Sequence, residues 1–174
     1  MAQQVTFKSA PVLLAGNMIN IGDLAPKVDL VGTELSTISV GGAMNEIQMI
    51  IAVPSLDTAV CATQARNFNT QVSILEGVRT TVVSRDLPFA QKRFCSTECI
   101  ERLTIASDFR GGEFGRVYGI ELAGSPLMGL LARAIFIVGR DGRVIYKEIV
   151  SEITNEPSYD AALLTAQKSA KELQ

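Results

Sequence analysis

Ile50-Ile51-Ala52-Val53-Pro54-Ser55-Leu56-Asp57-Thr58-Ala59-Val60-Cys61 is the stretch that decides how this chain folds. An apolar run over residues 47–53 stops at a proline, and beyond Cys61 apolar side chains recur at Ala65, Phe68, Val72 and Leu75. A near-continuous apolar run of that length fits a strand covered on both faces. Spacings of three and four residues fit a helix with one buried face, expected here over residues 59–76. Cys61 therefore stands where a buried strand hands over to the first turn of a helix. Unpaired backbone N–H groups and the helix dipole favour an anion at such a place, which draws a thiol towards thiolate.

The surrounding chain has 174 residues, 47% of them hydrophobic, enough to bury a core in one domain over residues 1–174. Its 16 basic and 18 acidic residues are interspersed and leave a net charge of −2. That balance gives nucleic acid or an anionic membrane surface little to hold. No apolar run is long enough to span a bilayer. Met1-Ala2-Gln3-Gln4-Val5 shows neither the basic nor the apolar part of a secretory leader. Three cysteines, an odd number, fit reduced cytosolic thiols better than a disulfide scaffold. Histidine is absent altogether. This disfavours Cys–His nucleophiles, imidazole acid–base catalysis and most zinc sites. A reactive Cys61 must then be activated by the helix terminus, a hydroxyl and a cation.

Working outward, Val5-Thr6-Phe7-Lys8 and Pro11-Val12-Leu13-Leu14 read as a hairpin in an N-terminal extension of residues 1–18. Weak strands are expected over 28–31 and 36–40. Residues 79–84 and 103–107 read as strands, and 113–118 as a short helix. Residues 87–102 read as a helix opened by Pro88 at a permitted first-turn position. Strands over 132–138 and 144–150 are joined by Gly139-Arg140-Asp141-Gly142, a hairpin signal, and residues 158–173 form a closing helix. Alternating strands and helices followed by a hairpin and a helix give an α/β domain.

Residue type alone favours Cys61 as a small buried hydrophobe, the ordinary fate of a free cysteine. Its neighbours favour chemistry. Pro54 stiffens the loop leading into the helix and limits access of water. Asp57 and Thr58 are both N-cap residues by type. An aspartate aimed at Cys61 would oppose a thiolate, so Asp57 is expected to face the backbone and leave the Thr58 hydroxyl for sulfur or a bound oxygen. Arg133 interrupts the core-like run Leu130-Leu131-Ala132-Arg133-Ala134-Ile135-Phe136-Ile137-Val138. A guanidinium is seldom buried without an anionic or strongly polar partner. Either it reaches solvent or an ordinary carboxylate from the strand end, or it meets a thiolate across the sheet.

Pro54-x-x-x-Thr58-x-x-Cys61 resembles the active-site motif of the peroxiredoxins. The fuller Pro54-Ser55-x-Asp57-Thr58-x-Val60-Cys61 resembles their bacterial thiol peroxidase branch, of the atypical 2-Cys type. Further matches are Asp86-Leu87-Pro88-Phe89-Ala90-Gln91-x-Arg93-Phe94-Cys95, Ser107-Asp108-Phe109-Arg110, Pro126-Leu127-x-Gly129-Leu130-x-Ala132-Arg133 and Glu152-Ile153-Thr154-x-Glu156-Pro157-x-Tyr159. The resemblance implies a thioredoxin-like fold, with a central mixed β-sheet flanked by helices and an N-terminal β-hairpin, usually in a homodimer. By position, Cys61 matches the peroxidatic cysteine and Cys95 the resolving cysteine of the same subunit. Thr58 and Arg133 match the activating pair, and Pro54 the shielding proline. It also implies hydroperoxide substrates (alkyl and lipid hydroperoxides and hydrogen peroxide), thioredoxin as reductant, a bacterial cytoplasm, and neither cofactor nor metal. Cys99 departs from the family pattern and raises the question of which thiol resolves; Cys95, in its intact motif, is favoured, and Cys99 reads first as a core-facing small residue.

A magnitude limits how such a site can work. Lowering a thiol pKa from ~8.5 to ~6 raises the thiolate fraction at pH 7 about thirtyfold. A Brønsted slope near ~0.4–0.5 takes back roughly ten- to twentyfold in nucleophilicity. Acidity alone is therefore not a sufficient mechanism, and donors must also stabilise charge on the departing peroxide oxygen. Two other readings compete. A general thiol–disulfide oxidoreductase or redox sensor would lack a C-x-x-C pair here. A metal site on Cys95 and Cys99 would lack histidine and further thiols. Phe89, Leu127, Met128 and Leu130 are read first as dimer interface or core, ahead of a groove for alkyl chains.

Overall fold

Residues 47–52 are buried without exception, and the chain folds around that strand. The computed structural model describes residues 3–72 and 75–171. In chain order the elements are β1 (Gln4–Phe7), β2 (Ala10–Ala15), β3 (Val28–Gly32), β4 (Thr37–Val40), β5 (Ile47–Ala52), α1 (Ala59–Gln71) and β6 (Val78–Ser84). There follow α2 (Pro88–Glu98), β7 (Thr104–Ser107), α3 (Glu113–Val117), β8 (Glu121–Leu122), β9 (Ala134–Val138), β10 (Val144–Ile149) and α4 (Tyr159–Lys171). Among the described residues, seven strands form a central sheet in the order β10-β9-β5-β6-β7-β3-β4. The centre, β5-β6-β7, is parallel, and the outer pairings are antiparallel. A separate sheet, β1-β2-β8, carries the N-terminal hairpin.

Strand alternation sorts the core into two layers. Ile47, Met49, Ile51, Ile135 and Ile137 face α1, α2 and α4, where they meet Phe68, Phe94 and Ala162. Ile50, Ala52, Ala134 and Phe136 face the other way, onto the hairpin residues Val5 and Val12 and onto Phe114 of α3. The expected architecture, a mixed sheet flanked by helices with an N-terminal hairpin, is the observed one. Its hairpin turns at Lys8 and Ser9, both left-handed with φ 50° and 67°. The Glu152 carboxylate accepts both of their N–H groups, at 3.1 and 3.0 Å, and so secures a turn geometry that usually needs Gly or Asn.

Boundaries moved where local chemistry intervened. The first helix ends at Gln71, and residues 73 and 74 of the longer helix expected over 59–76 lie outside the described residues. The second stops at Glu98 rather than 102, because Cys99 takes a left-handed conformation and ends it. β8 has only two residues, too few to give a periodic signal, and is held by pairing Leu14 with Leu122. Residues 172 and 173 of the closing helix also fall outside the described range, as do residues 1 and 2 of the extension. No helix among the described residues is long and apolar enough to cross a membrane.

Candidate active site

The parallel register brings the C-terminal ends of β5 and β6 together, and α1 starts just beyond them. Its buried face reads Cys61, Gln64, Ala65 and Phe68, a helical stripe packed on the sheet. Thr58, extended at φ −99° and ψ 145°, is the N-cap. Its Oγ1 accepts the Cys61 N–H at 3.4 Å and donates to the Ser55 carbonyl at 3.1 Å. This corrects the expectation that Asp57 faces the backbone and leaves Thr58 free. The helix begins at Ala59, so the residue before it must cap, and Asp57 is exposed. The Pro54 loop is held from β6's end by Asp86, which accepts from Ser55 Oγ at 2.7 Å and from the Leu56 N–H at 2.8 Å. Pro54 itself is buried.

Arg133 stands one residue before β9. Ala134 pairs with Ala52, and extending that ladder sets Arg133 opposite Val53, at the mouth of the Pro54 loop. Alternation then points it to the same side as Ile135, under α1. The side chain is 2% exposed and Cys61 0%. Its Nη2 donates to Cys61 Sγ at 3.4 Å, Nη1 to Gln64 Oε1, and Nε to the Ile153 carbonyl at 3.1 Å. Of the two placements open in sequence, solvent or sulfur, the fold puts the guanidinium on sulfur. No carboxylate pairs with it among the described residues. The Gln64 and Ile153 acceptors are neutral oxygens, and sulfur is the third partner.

The redoxin profile matches residues 20–163. A thiol peroxidase of Campylobacter jejuni is 52% identical over 162 residues, covering 93% of this chain and 90% of the relative. A thiol peroxidase of Aquifex aeolicus is 48% identical over 160 residues, 92% of this chain and 94% of its own. The crystal structure of a peroxiredoxin-like protein from Aquifex aeolicus superposes with a TM-score of 0.92 at 46% identity, covering 100% of this chain and 99% of that one. The chain belongs to the redoxin family. Relatives this similar over nearly the whole length make this redoxin a thiol-dependent, peroxiredoxin-type peroxidase.

In this redoxin the three thiols occupy different surroundings. Cys61 is buried, Cys95 half-buried and Cys99 exposed, and all three are free. Cys99 is thus not the core-facing residue expected, because the left-handed turn that ends the second helix leaves it at the surface. Cys95 lies in the third turn of α2, touching the same apolar cluster as Cys61 but lining another cavity, with Ile38, Ile100, Leu103 and Ile105. Burial raises its thiol pKa above the ordinary value, against a smaller opposing backbone contact. A cavity of about 460 Å³, lined by Leu56, Thr58, Ala62, Arg93 and Phe94, separates the start of α1 from α2. A second, of about 240 Å³, has Pro54, Thr58 and Arg133 on its wall, with Cys61 buried behind them. Its apolar lining is Phe7, Val60, Leu127, Leu130 and Ile153. Leu127 and Leu130, read first as interface, line this cavity beside Thr58 and Arg133. Met128 and Phe89, 71% and 68% exposed, do not line it.

Three residues that shape the site carry no role in the sequence reading. Gln64 orients Arg133, and its signal was present: a polar residue three positions after Cys61 on the buried stripe. Asp86 opens a quoted motif and Arg85 stands just before it, yet only the fold shows their use. Arg85 pairs with Asp108 at 3.4 Å and Glu121 at 2.6 Å and donates to the Gly129 carbonyl, steadying the 127–130 loop. Among the described residues, no three Cys, Asp or Glu side chains are grouped to hold a metal ion.

Proposed function

We propose that Cys61 is the peroxidatic thiol, Cys95 the resolving thiol of the same subunit, and Arg133 and Thr58 the groups that activate the peroxide. The observation that carries this reading is a wholly buried guanidinium on a wholly buried sulfur at 3.4 Å. The Cys61 thiol releases its proton, the thiolate attacks the terminal oxygen of a hydroperoxide, the O–O bond breaks, and the departing alkoxide or hydroxide takes up that proton to leave as alcohol or water. Cys61 becomes a sulfenic acid. Arg133 N–H groups stabilise charge on the departing oxygen, and the Thr58 proton, now on the Ser55 carbonyl, turns to the same oxygen. The Pro54 wall keeps water from competing. The apolar cavity lining favours alkyl over small polar hydroperoxides.

The Cys95 thiol then condenses with the sulfenic acid, water leaves, and a Cys61–Cys95 disulfide forms. A disulfide needs Cα atoms within about 7 Å. Both cysteines sit in helices, Cys61 fully buried and Cys95 on a separate cavity, so the first turn of α1 and the last turns of α2 must loosen, and the cavity between the two helices gives the room. An external dithiol, thioredoxin, reduces the bond by exchange. The odd number of free thiols suits a cytoplasmic protein. The exposed apolar residues Leu87, Phe89 and Met128 supply a surface for a homodimer.

Arg133→Lys tests the reading directly. It keeps the charge but removes the planar fork that reaches sulfur, Gln64 and Ile153 together. A fall in kcat/KM of about 100-fold is expected with far-UV circular dichroism unchanged. Parental kcat/KM in a folded Arg133→Lys protein would refute the donor role.

A further inference from the structure

Cys99 is a nucleophile that the proposed cycle leaves unused. It is exposed, ends α2 in a left-handed conformation (φ 53°, ψ 45°), and both its own N–H and the Ile100 N–H close onto the Cys95 carbonyl, the latter at 3.0 Å. One helical turn separates the two Cα atoms, about 6 Å, which a disulfide can bridge. The other helix holds this corner in place. Asn69 of α1 donates to the Cys99 carbonyl at 3.3 Å and accepts the N–H groups of Glu101 and Arg102 at 3.2 and 2.9 Å. When α2 loosens to let Cys95 reach Cys61, Cys99 stays tethered close to the moving sulfur.

We infer that Cys99 relays the disulfide, attacking Cys95 of the Cys61–Cys95 bond to leave a Cys95–Cys99 disulfide and a free Cys61. This rests on the peroxidase reading above, which supplies the first disulfide. The Cys99 thiol gives its proton to solvent, its thiolate forms the new bond to Cys95 Sγ, and the Cys61 sulfur leaves with the electron pair. No oxidant or reductant is consumed. The direction follows from the structure. A half-buried Cys95, whose thiolate is disfavoured, is the poorer leaving group, whereas departing Cys61 returns to the Arg133 N–H at its side. The Cys61–Cys95 bond keeps the first turn of α1 open, without its Thr58 cap and with Cys61 out of the core. The Cys95–Cys99 bond disturbs only a helix end that is already terminated. The relay therefore rebuilds the peroxide site while the oxidising equivalent waits on an exposed corner for its dithiol.

The test treats reduced protein with one equivalent of hydroperoxide under anaerobic conditions, quenches with acid, alkylates free thiols and maps disulfides by mass spectrometry over time. Cys61–Cys95 should appear first and then give way to Cys95–Cys99 in about tenfold excess, the ratio that ~1.4 kcal/mol sets. Cys61 should return as an alkylatable thiol. Cys99→Ser should stop at Cys61–Cys95, and Cys99→Asn, which suits a left-handed helix end, should do the same. Cys61–Cys95 persisting in the parent with Cys99 free would overturn the relay and leave the peroxidase reading standing. Cys95–Cys99 forming as fast in Cys61→Ser as in the parent would overturn both.

Discussion

Arg133 brings a full charge into the interior and spends it on one sulfur, one amide oxygen and one backbone carbonyl. Its burial is tolerable because all three donor groups are satisfied, and costly to disturb for the same reason. Thr58 is the residue whose two tasks can be separated. Thr58→Val removes the acceptor for the Cys61 N–H, worth about 1 kcal/mol as a lost cap. It also removes the hydroxyl that the proposed mechanism turns from the Ser55 carbonyl to the peroxide, so turnover should fall by about 100-fold, far beyond the effect on folding. Thr58→Ser should be mild in both respects. Equal damage from the two substitutions, compared by kcat/KM and by denaturant midpoint, would count against the hydroxyl. At this scale the sequence was most legible where chemistry is conspicuous. A buried arginine in an apolar run and a cysteine at a helix start announce themselves. Gln64 and Asp86 did not, because a glutamine or aspartate means little until the fold supplies its partner.

Helix ends and one hairpin latch govern the behaviour of the elements. Forming the Cys61–Cys95 bond should strip amide protection from the first turn of α1 and the last turns of α2 while β5 and β6 stay protected. Hydrogen exchange on reduced and freshly oxidised protein reads this, and identical protection in both would contradict the coupling. The N-terminal hairpin hangs on Glu152, whose carboxyl is lowered to about 2 by the Ser9 N–H and the Thr6 hydroxyl, with Thr154 adding to them. A lowered carboxyl stabilises the fold in full above its ordinary value near 4.5 and loses that contribution as pH falls through about 2. Exchange at the Lys8 and Ser9 amides should rise over that window, and Glu152→Ala should show the same rise at neutral pH. Unchanged protection in that variant would remove the latch. Its reach extends to the site, since the Ile153 N–H donates to the Thr6 carbonyl while the Ile153 carbonyl accepts Arg133 Nε. Boundaries were the least legible feature of the elements. α2 ends at a cysteine in a left-handed conformation, which no apolar period marks, and β8 is too short for one.

For the molecule as a whole, the order of elements was readable because each strand and helix carries its own period, and the alternation fixed an α/β sheet. Pairing across the sheet was not readable. The register Ala52 with Ala134 is what converts two distant motifs into one site, and it emerges only from packing two apolar layers against β5. The result is a peroxidase with Cys61 buried against Arg133 and with Cys95 on a separate cavity, so the proposed disulfide requires chemistry and local unfolding to alternate. Everything proposed for the site rests on Cys61 Sγ being the atom that meets peroxide. Stopped-flow consumption of one equivalent of an alkyl hydroperoxide by reduced parent, Cys61→Ser and Cys95→Ser tests it without any recycling partner. The parent and Cys95→Ser should each consume the equivalent at matching rates, the latter stopping at a sulfenic acid that dimedone traps on Cys61. Cys61→Ser should consume none, and consumption by that variant at the parental rate would contradict the account.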